Sequence, residues 1–127
     1  MSMTVAEIRA SIQTLCEKDN EMRSIYVHLD QMMDWPINEI FNLMVMIEEL
    51  KKRMKDDVVH FSFKKKDGTV RQAYGTRAND VLIQRDSVPD GGNGHARGTF
   101  PYFDIERQAW RCFKVETLME IDRGYTI

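Results

Sequence analysis

The sequence is poor in the residues that cross-link small folds or interrupt regular structure. It contains two cysteines, three prolines and seven glycines in 127 residues. Cys16 and Cys112 are far apart and have no cysteine or histidine at zinc-ligand spacing, which excludes a disulfide scaffold and a zinc-finger site. We expect both to be free, buried thiols in a reducing compartment. The few glycines and prolines also exclude collagen-like and disordered chains.

Long apolar runs and a strong charge imbalance are missing too. The longest apolar stretch, residues 43–47, is too short to span a bilayer. The N-terminus has no basic segment followed by an apolar run, so no export signal is predicted. A net charge of −2 argues against a protein that binds nucleic acid over its whole surface. We therefore predict a cytoplasmic protein with no membrane partner, and its length and 43% hydrophobic content predict a single core.

The first half of the sequence has helical periodicity. Thr4 and Glu7 form a capping-box pattern that predicts a helix start, and Pro36 predicts a stop and restart. The sequence leaves open whether residues 4–34 form one helix or two. The apolar residues that recur at three- and four-residue steps are, before Pro36, Val5, Ile8, Ile12, Leu15, Met22, Ile25, Tyr26, Leu29, Met32 and Met33, and after it Ile37, Ile40, Phe41, Met44, Ile47, Leu50 and Met54. The simplest prediction for residues 1–56 is an antiparallel helical hairpin.

From residue 58 the apolar period changes from 3.6 to 2. Phe61 and Phe63 alternate with polar residues, and Asp67-Gly68 predicts a type I′ turn leading into a return strand over residues 69–76. Further strands are predicted at 100–106 and 109–116, and Leu118 and Ile121 open a last short strand. A short apolar strand or edge is predicted near 81–83 and a mobile loop over 85–98. Five short strands joined by tight turns are typical of a small β-barrel. The predicted fold class is therefore α+β, a helical hairpin (1–56) followed by a five-stranded SH3/Sm-like barrel (57–127).

Two segments carry a family resemblance. They are K-D-G-T-V-R-x-A-Y-G-T at residues 66–76 and W-R-x-F-x-x-x-x-L at residues 110–118. Together with the surrounding strands, these segments resemble the WYL-like small-barrel family of uncharacterised bacterial and phage proteins, over roughly residues 57–123. That resemblance implies an Sm-like or SH3-type β-barrel.

The second segment is similar in turn to the R-x-F-x-x-x-x-[IL] closing segment of WYL domains. Those domains are ligand-sensing modules of bacterial transcriptional regulators and defence systems. In them an arginine of this segment contributes to a basic site for nucleic-acid or nucleotide ligands. The resemblance implies that role for Arg111.

Catalytic and cofactor motifs are not found in the sequence. It has no G-x-S-x-G, H-E-x-x-H, P-loop or dinucleotide fingerprint, and the three histidines lie on three separate elements. The glycine-rich run at residues 91–98 favours a plain flexible loop, because a phosphate loop would be followed by a helix. We therefore expect no enzymatic activity, no catalytic residues, no metal and no cofactor.

The basic and aromatic residues of the predicted barrel suggest a binding face instead. If they meet on one face, the arginines supply charge and the aromatic rings supply stacking surfaces, as single-strand binding requires. The competing interpretation is a solvated hairpin end with aromatic residues covering the core. We predict a non-enzymatic binding or regulatory module for an anionic ligand or nucleic acid. The predicted contacts are Arg111 and Arg71, then Lys66 and Arg77, with Tyr74 and Trp110 as aromatic surface.

The helical half offers a second functional hypothesis. Nine methionines are present, and six of them fall in the predicted helices: Met22, Met32, Met33, Met44, Met46 and Met54. Flexible methionine side chains adapt to partner helices. A two-helix hairpin alone has little core, which favours self-association, for example into a four-helix bundle. The alternative is therefore an interaction or assembly protein that forms a homo-oligomer or binds a partner through residues 4–55.

Overall fold

A computed structural model of the chain describes residues 3–32, 34–78 and 98–122. It has three helices followed by one antiparallel sheet of five strands, with the order β4-β3-β2-β1-β5. The helices are α1 (Val5–Cys16), α2 (Asn20–Met32) and α3 (Ile37–Met54), and the strands are β1 (Val59–Lys64), β2 (Val70–Thr76), β3 (Thr99–Asp104), β4 (Ala109–Lys114) and β5 (Leu118–Ile121). The α+β class and the five strands are confirmed. In the described part of the chain the sheet is open, with β4 and β5 at its edges.

The predicted helix boundaries are confirmed where local chemistry determines them. The Glu7 N–H donates to Thr4 Oγ1 at 3.1 Å and the Thr4 N–H donates to Glu7 Oε1 at 2.9 Å, which completes the capping box. A break at residues 17–19 separates α1 from α2, and Asp19 Oδ1 accepts the Met22 N–H at 3.1 Å. The segment that the sequence left open therefore forms two helices. The antiparallel hairpin arrangement stays a prediction.

One apolar cluster joins the helices to the sheet. Every helix and every strand contributes to it, and six of its side chains from α2 and α3 have no exposed surface: Met22, Leu29, Met44, Ile47, Leu50 and Met54. On the sheet side, Phe61 packs edge-on against Tyr102, with 5.1 Å between ring centroids. The division at 56/57 stays a prediction, and the core runs across it. None of the described helices is both long and apolar enough to cross a membrane.

The turn between β1 and β2 differs from the predicted type I′ turn. That turn type needs positive φ at two successive residues, whereas here Gly68 has a φ of 89° and Asp67 is not in the left-handed region. The Lys65 N–H donates to the Thr69 carbonyl at 2.8 Å, so the loop spans residues 66–68. Asp67 Oδ1 accepts the Thr69 N–H at 2.9 Å, which fixes this longer turn through the aspartate side chain.

The two cysteines also differ from their common prediction. Both are free, but only Cys16 is buried, and its burial raises the pKa of its thiol. Cys112 is exposed on β4. It lies on an edge strand whose residues 109–112 are all exposed, so strand periodicity alone did not indicate its exposure. The predicted strand near 81–83 and the predicted loop at 85–98 lie outside the described residues, apart from Gly98.

Candidate anion-binding site

Strand pairing decides which side chains share the inner face of the sheet. Arg71 is the direct partner of Phe63, and Arg111 is the direct partner of Tyr102. Direct cross-strand partners project from the same face. Phe63 and Tyr102 belong to the core, so both arginines project from the core face of the sheet. We infer that they extend from the end of that face towards solvent, since Arg111 is exposed.

The two arginines line one open depression of about 630 Å³. Its lining also includes Ala109 of β4 and two residues of the β3–β4 turn, Glu106 and Arg107. The sequence analysis named Arg71 and Arg111, and the structure brings them together. Arg107 was not predicted, and it contributes a third guanidinium to the same depression. We call these three residues the arginine cluster.

Asp104 is a buried residue that hydrogen-bonds two members of the arginine cluster. Its side chain has no exposed surface, and its Oδ2 accepts a hydrogen bond of 2.6 Å from Arg71 Nη2. Its Oδ1 accepts the backbone N–H of Arg107 at 3.1 Å, which fixes the β3–β4 turn. Burial disfavours the charged form of Arg71, but the hydrogen bond and charge of Asp104 outweigh it and raise the pKa of the Arg71 guanidinium.

Tyr102 lies beneath the same arginine. Burial is the main reason that the pKa of its hydroxyl is raised, and the negative charge of Asp104 adds to the effect. The positive charge of Arg71 opposes this shift without cancelling it, and the hydroxyl stays neutral at neutral pH. The Nε of Arg71 is buried and has no hydrogen-bond partner among the described residues. A buried donor left unpaired costs about 1–3 kcal/mol.

The other two members of the cluster carry uncompensated charge. Neither Arg107 nor Arg111 forms a salt bridge with another residue in the part of the chain that the structure describes. Glu106 is the one carboxylate among the residues that line the depression. Three guanidinium groups beside one exposed and one buried carboxylate leave a positive local charge, which favours an anion in the depression.

Arg77 does not line the depression, and its side chain is paired inside the protein. Its Nη1 and Nη2 donate to the two carboxylate oxygens of Glu21 at 2.8 and 2.7 Å, and its Nε donates to the Pro101 carbonyl at 2.9 Å. Its guanidinium carbon also lies 3.8 Å from the centroid of the Phe100 ring. With its charge and donors already used inside the protein, Arg77 joins α2 to the sheet instead of contacting a ligand.

Glu21 is the helix-side partner in that connection. Its Oε1 also forms a salt bridge with Lys51 Nζ on α3, at a distance of 3.0 Å. Burial opposes the ionisation of Glu21, but the hydrogen bonds and charges of Arg77 and Lys51 outweigh it and lower the pKa of the carboxyl to about 2. The carboxylate therefore stays charged at neutral pH and ties α2, α3 and the sheet together.

The predicted aromatic surfaces lie on the other face of the sheet. Tyr74 is the direct partner of His60 and stacks on it, with 4.6 Å between ring centroids. Trp110 is the direct partner of Phe103 and packs edge-on against it at 6.0 Å. Side chains alternate between faces along a strand, so Trp110 and Arg111 project in opposite directions. The structure therefore separates the predicted aromatic residues from the arginine cluster.

Lys66 is not brought to the depression either. It lies in the exposed loop 66–68 between β1 and β2 and is not among the residues that line the arginine cluster. Of the six side chains predicted to form a ligand site, the depression thus contains Arg71 and Arg111. Asp104 and Arg107 were missed, although an aspartate three residues before the Arg107 amide is a spacing typical of a side-chain-capped turn.

The methionines of the helices are largely interior. Met22, Met44 and Met54 have no exposed surface, Met46 is partly buried against the core, and Met32 is 68% exposed. Met33 lies outside the described residues. Most of the methionine-rich stripe therefore fills the core between the helices and the sheet, which leaves little of it for a partner.

Comparison with known proteins identifies the family of the chain. A family model described as WYL_2, Sm-like SH3 beta-barrel fold, matches residues 47–119, more than half of the chain. The chain belongs to the WYL_2 family. Its match covers β1 to β4, the last part of α3 and all the residues of the depression. This confirms the resemblance found in the sequence.

A phage protein extends the WYL_2 comparison. The chain is 31% identical over 77 residues to a protein of Enterobacteria phage T4 named "Uncharacterized 11.5 kDa protein in Gp31-cd intergenic region". The similarity covers 59% of this chain and 76% of the phage protein. No solved structure matches the chain. The comparisons therefore show the family of the chain, whose fold is described as an Sm-like SH3 β-barrel, and the proposed function rests on the chain's own residues.

Proposed function

We propose that this WYL_2 chain is a non-enzymatic binding module whose arginine cluster holds an anionic ligand, with single-stranded nucleic acid as the ligand to test. One observation carries the proposal. Arg71, Arg107 and Arg111 line the same open depression, and the last two form no salt bridge with any described residue. Arginines without carboxylate partners are well suited to bind phosphate and carboxylate groups.

The chemistry of the depression favours binding over catalysis. Its lining supplies guanidinium donors, one methyl group from Ala109 and one carboxylate from Glu106. Among these residues there is no nucleophile paired with a base, which nucleophilic catalysis requires. A cluster of this kind attracts and orients an anion. The module is therefore proposed to bind an anionic ligand and to have a regulatory role that depends on that ligand.

The alternative of assembly through residues 4–55 draws less support. It relied on methionines free to meet a partner, and Met22, Met44 and Met54 are instead buried in the core. Arg107 and Arg111, by contrast, form no salt bridge with any described residue. We therefore place the function at the depression and treat oligomerisation as a property to be measured beside it.

Titration of the full chain with a fluorescein-labelled oligothymidylate tests the proposal. We expect fluorescence anisotropy to rise with protein, and the affinity to fall between about 50 and 200 mM salt because phosphate contacts release counterions. Light scattering on the same sample reports the number of subunits. No binding at the lower salt concentration would contradict the proposal.

Arg111→Ala identifies the binding face, and Lys114→Ala is its matched control. Both substitutions remove one positive charge from β4, but Lys114 lies on the opposite face of the strand from Phe113 and outside the depression. We expect Arg111→Ala to weaken binding about tenfold or more, because a charge-assisted hydrogen bond contributes roughly 1.5–3 kcal/mol. Lys114→Ala should change the affinity less than threefold or so. Equal effects of the two substitutions would contradict a specific site.

A further inference from the structure

The three arginines of the cluster line one open depression. Arg71 already gives Nη2 to Asp104, and its Nε is buried, so Arg71 contributes mainly its positive charge to the cluster. Arg107 and Arg111 contribute the remaining donors from the turn and from β4. A planar guanidinium offers its N–H groups as a fork that fits two oxygens of one oxyanion.

The depression lacks an aromatic ring on which a base could stack. Its lining contains no aromatic residue, and Tyr102 beneath it is 1% exposed. Tyr74 and Trp110 project from the opposite face and already pack on His60 and Phe103. Proteins that bind single strands through their bases place aromatic rings beside the basic groove, and this sheet places them on the other side.

We propose that the arginine cluster recognises a phosphate group alone and leaves the attached nucleobase unstacked. The inference rests on the function proposed above and narrows it to a chemical group. A phosphodiester has two non-bridging acceptor oxygens, and a terminal phosphate has three, to share among Arg71, Arg107 and Arg111. The depression holds nothing that distinguishes one base from another, so binding is independent of sequence and of the presence of a base.

A matched pair of oligonucleotides tests this directly. One is a labelled oligothymidylate of about ten nucleotides, and the other is an abasic strand with the same label and the same number of phosphates. We expect their dissociation constants for the full chain to agree within about threefold, since stacking contributes roughly tenfold or more per base where it occurs. An abasic strand that binds more than about tenfold more weakly would overturn the inference and leave the proposed function standing. Failure of both strands to bind would overturn both.

Arg107→Ala shows whether the shared binding occurs at the cluster. The Arg107 side chain is exposed, and the backbone N–H that donates to Asp104 is unchanged, so the variant is expected to fold. Both strands should lose affinity by the same factor, about tenfold. Lys66→Ala, which removes a charge from the other hairpin loop, is the control and should change both less than about threefold. A loss confined to the thymidylate strand would overturn the inference.

Competition separates the two sources of the phosphate group. Ribose 5-phosphate carries a terminal phosphate without a base, whereas the abasic strand carries phosphates within a chain. Displacement of the labelled abasic strand by ribose 5-phosphate, but not by ribose, is the expected result if one phosphate occupies the cluster. Equal displacement by ribose would show that the sugar is recognised and would overturn the inference.

Discussion

Neutralising Glu21 by the substitution Glu21→Gln should destabilise the protein in a way that depends on pH. The pKa of Glu21 is lowered from its ordinary value of 4.5 to about 2. At about 1.4 kcal/mol per pKa unit, this shift corresponds to about 3 kcal/mol of stability. The side chain keeps 22% of its surface exposed, so solvent screening reduces the expected loss to about 2 kcal/mol.

The sign of the pH dependence follows from the lowered pKa. The contribution of Glu21 is fully present above pH 4.5 and is lost as the pH falls towards 2, where the carboxyl is protonated in the folded state as well. The difference between the wild type and Glu21→Gln should therefore shrink on acidification.

Urea unfolding followed by circular dichroism measures this difference. Curves at about pH 7, 4 and 3 give the free energy of unfolding of each protein at each pH. Glu39→Gln is the control, because Glu39 is an exposed glutamate in the first turn of α3, and its loss should cost at most about 0.5 kcal/mol. A Glu21→Gln loss below about 0.5 kcal/mol at neutral pH, or one that does not shrink in acid, would refute the assigned role of the Glu21–Arg77 pair.

Two further substitutions probe the core and the depression. Gly75→Ala should lower the free energy of unfolding by about 1–3 kcal/mol, because the added Cβ would lie 2.6 Å from Tyr102 Cδ2 and 3.1 Å from Phe61 Cε1; thermal unfolding without a loss would contradict this packing. Asp104→Asn should weaken oligonucleotide binding although it makes the protein more positive, because Asp104 positions both Arg71 and the Arg107 turn. Tighter binding of a folded Asp104→Asn variant, measured by anisotropy, would show that Asp104 acts only through its charge.

Much of the fold could be predicted because its determinants are local. Thr4 and Glu7 are neighbours in sequence, and their reciprocal hydrogen bonds start α1 as expected. Alternation of apolar residues located β1, and the predicted return strand agrees with β2 to within a residue. The turn between them was wrong because Asp67 uses its side chain to cap Thr69, and this interaction competes with the backbone geometry of a type I′ turn.

The site was predicted only in part because its geometry depends on strand register and distant pairings. Trp110 and Arg111 are adjacent in sequence, yet the alternation of a strand sends them to opposite faces. The sequence does not show that Arg77 is paired, because its partner Glu21 is distant in the chain and is brought beside it only by the fold. The resemblance to WYL-like proteins identified Arg111, whereas the role of Asp104 needs the pairing of β3 with β4 and β2.

The most direct test of the arginine cluster observes its guanidinium groups. A ¹H–¹⁵N spectrum of the Arg Nε–H groups, assigned by substitution, is followed while the labelled protein is titrated with the abasic strand. Saturable shifts are expected for Arg71, Arg107 and Arg111, which line the depression. The Nε–H of Arg77, already donated to Pro101, should stay in place. Shifts at Arg77 or at the indole of Trp110, with the cluster unchanged, would contradict the account.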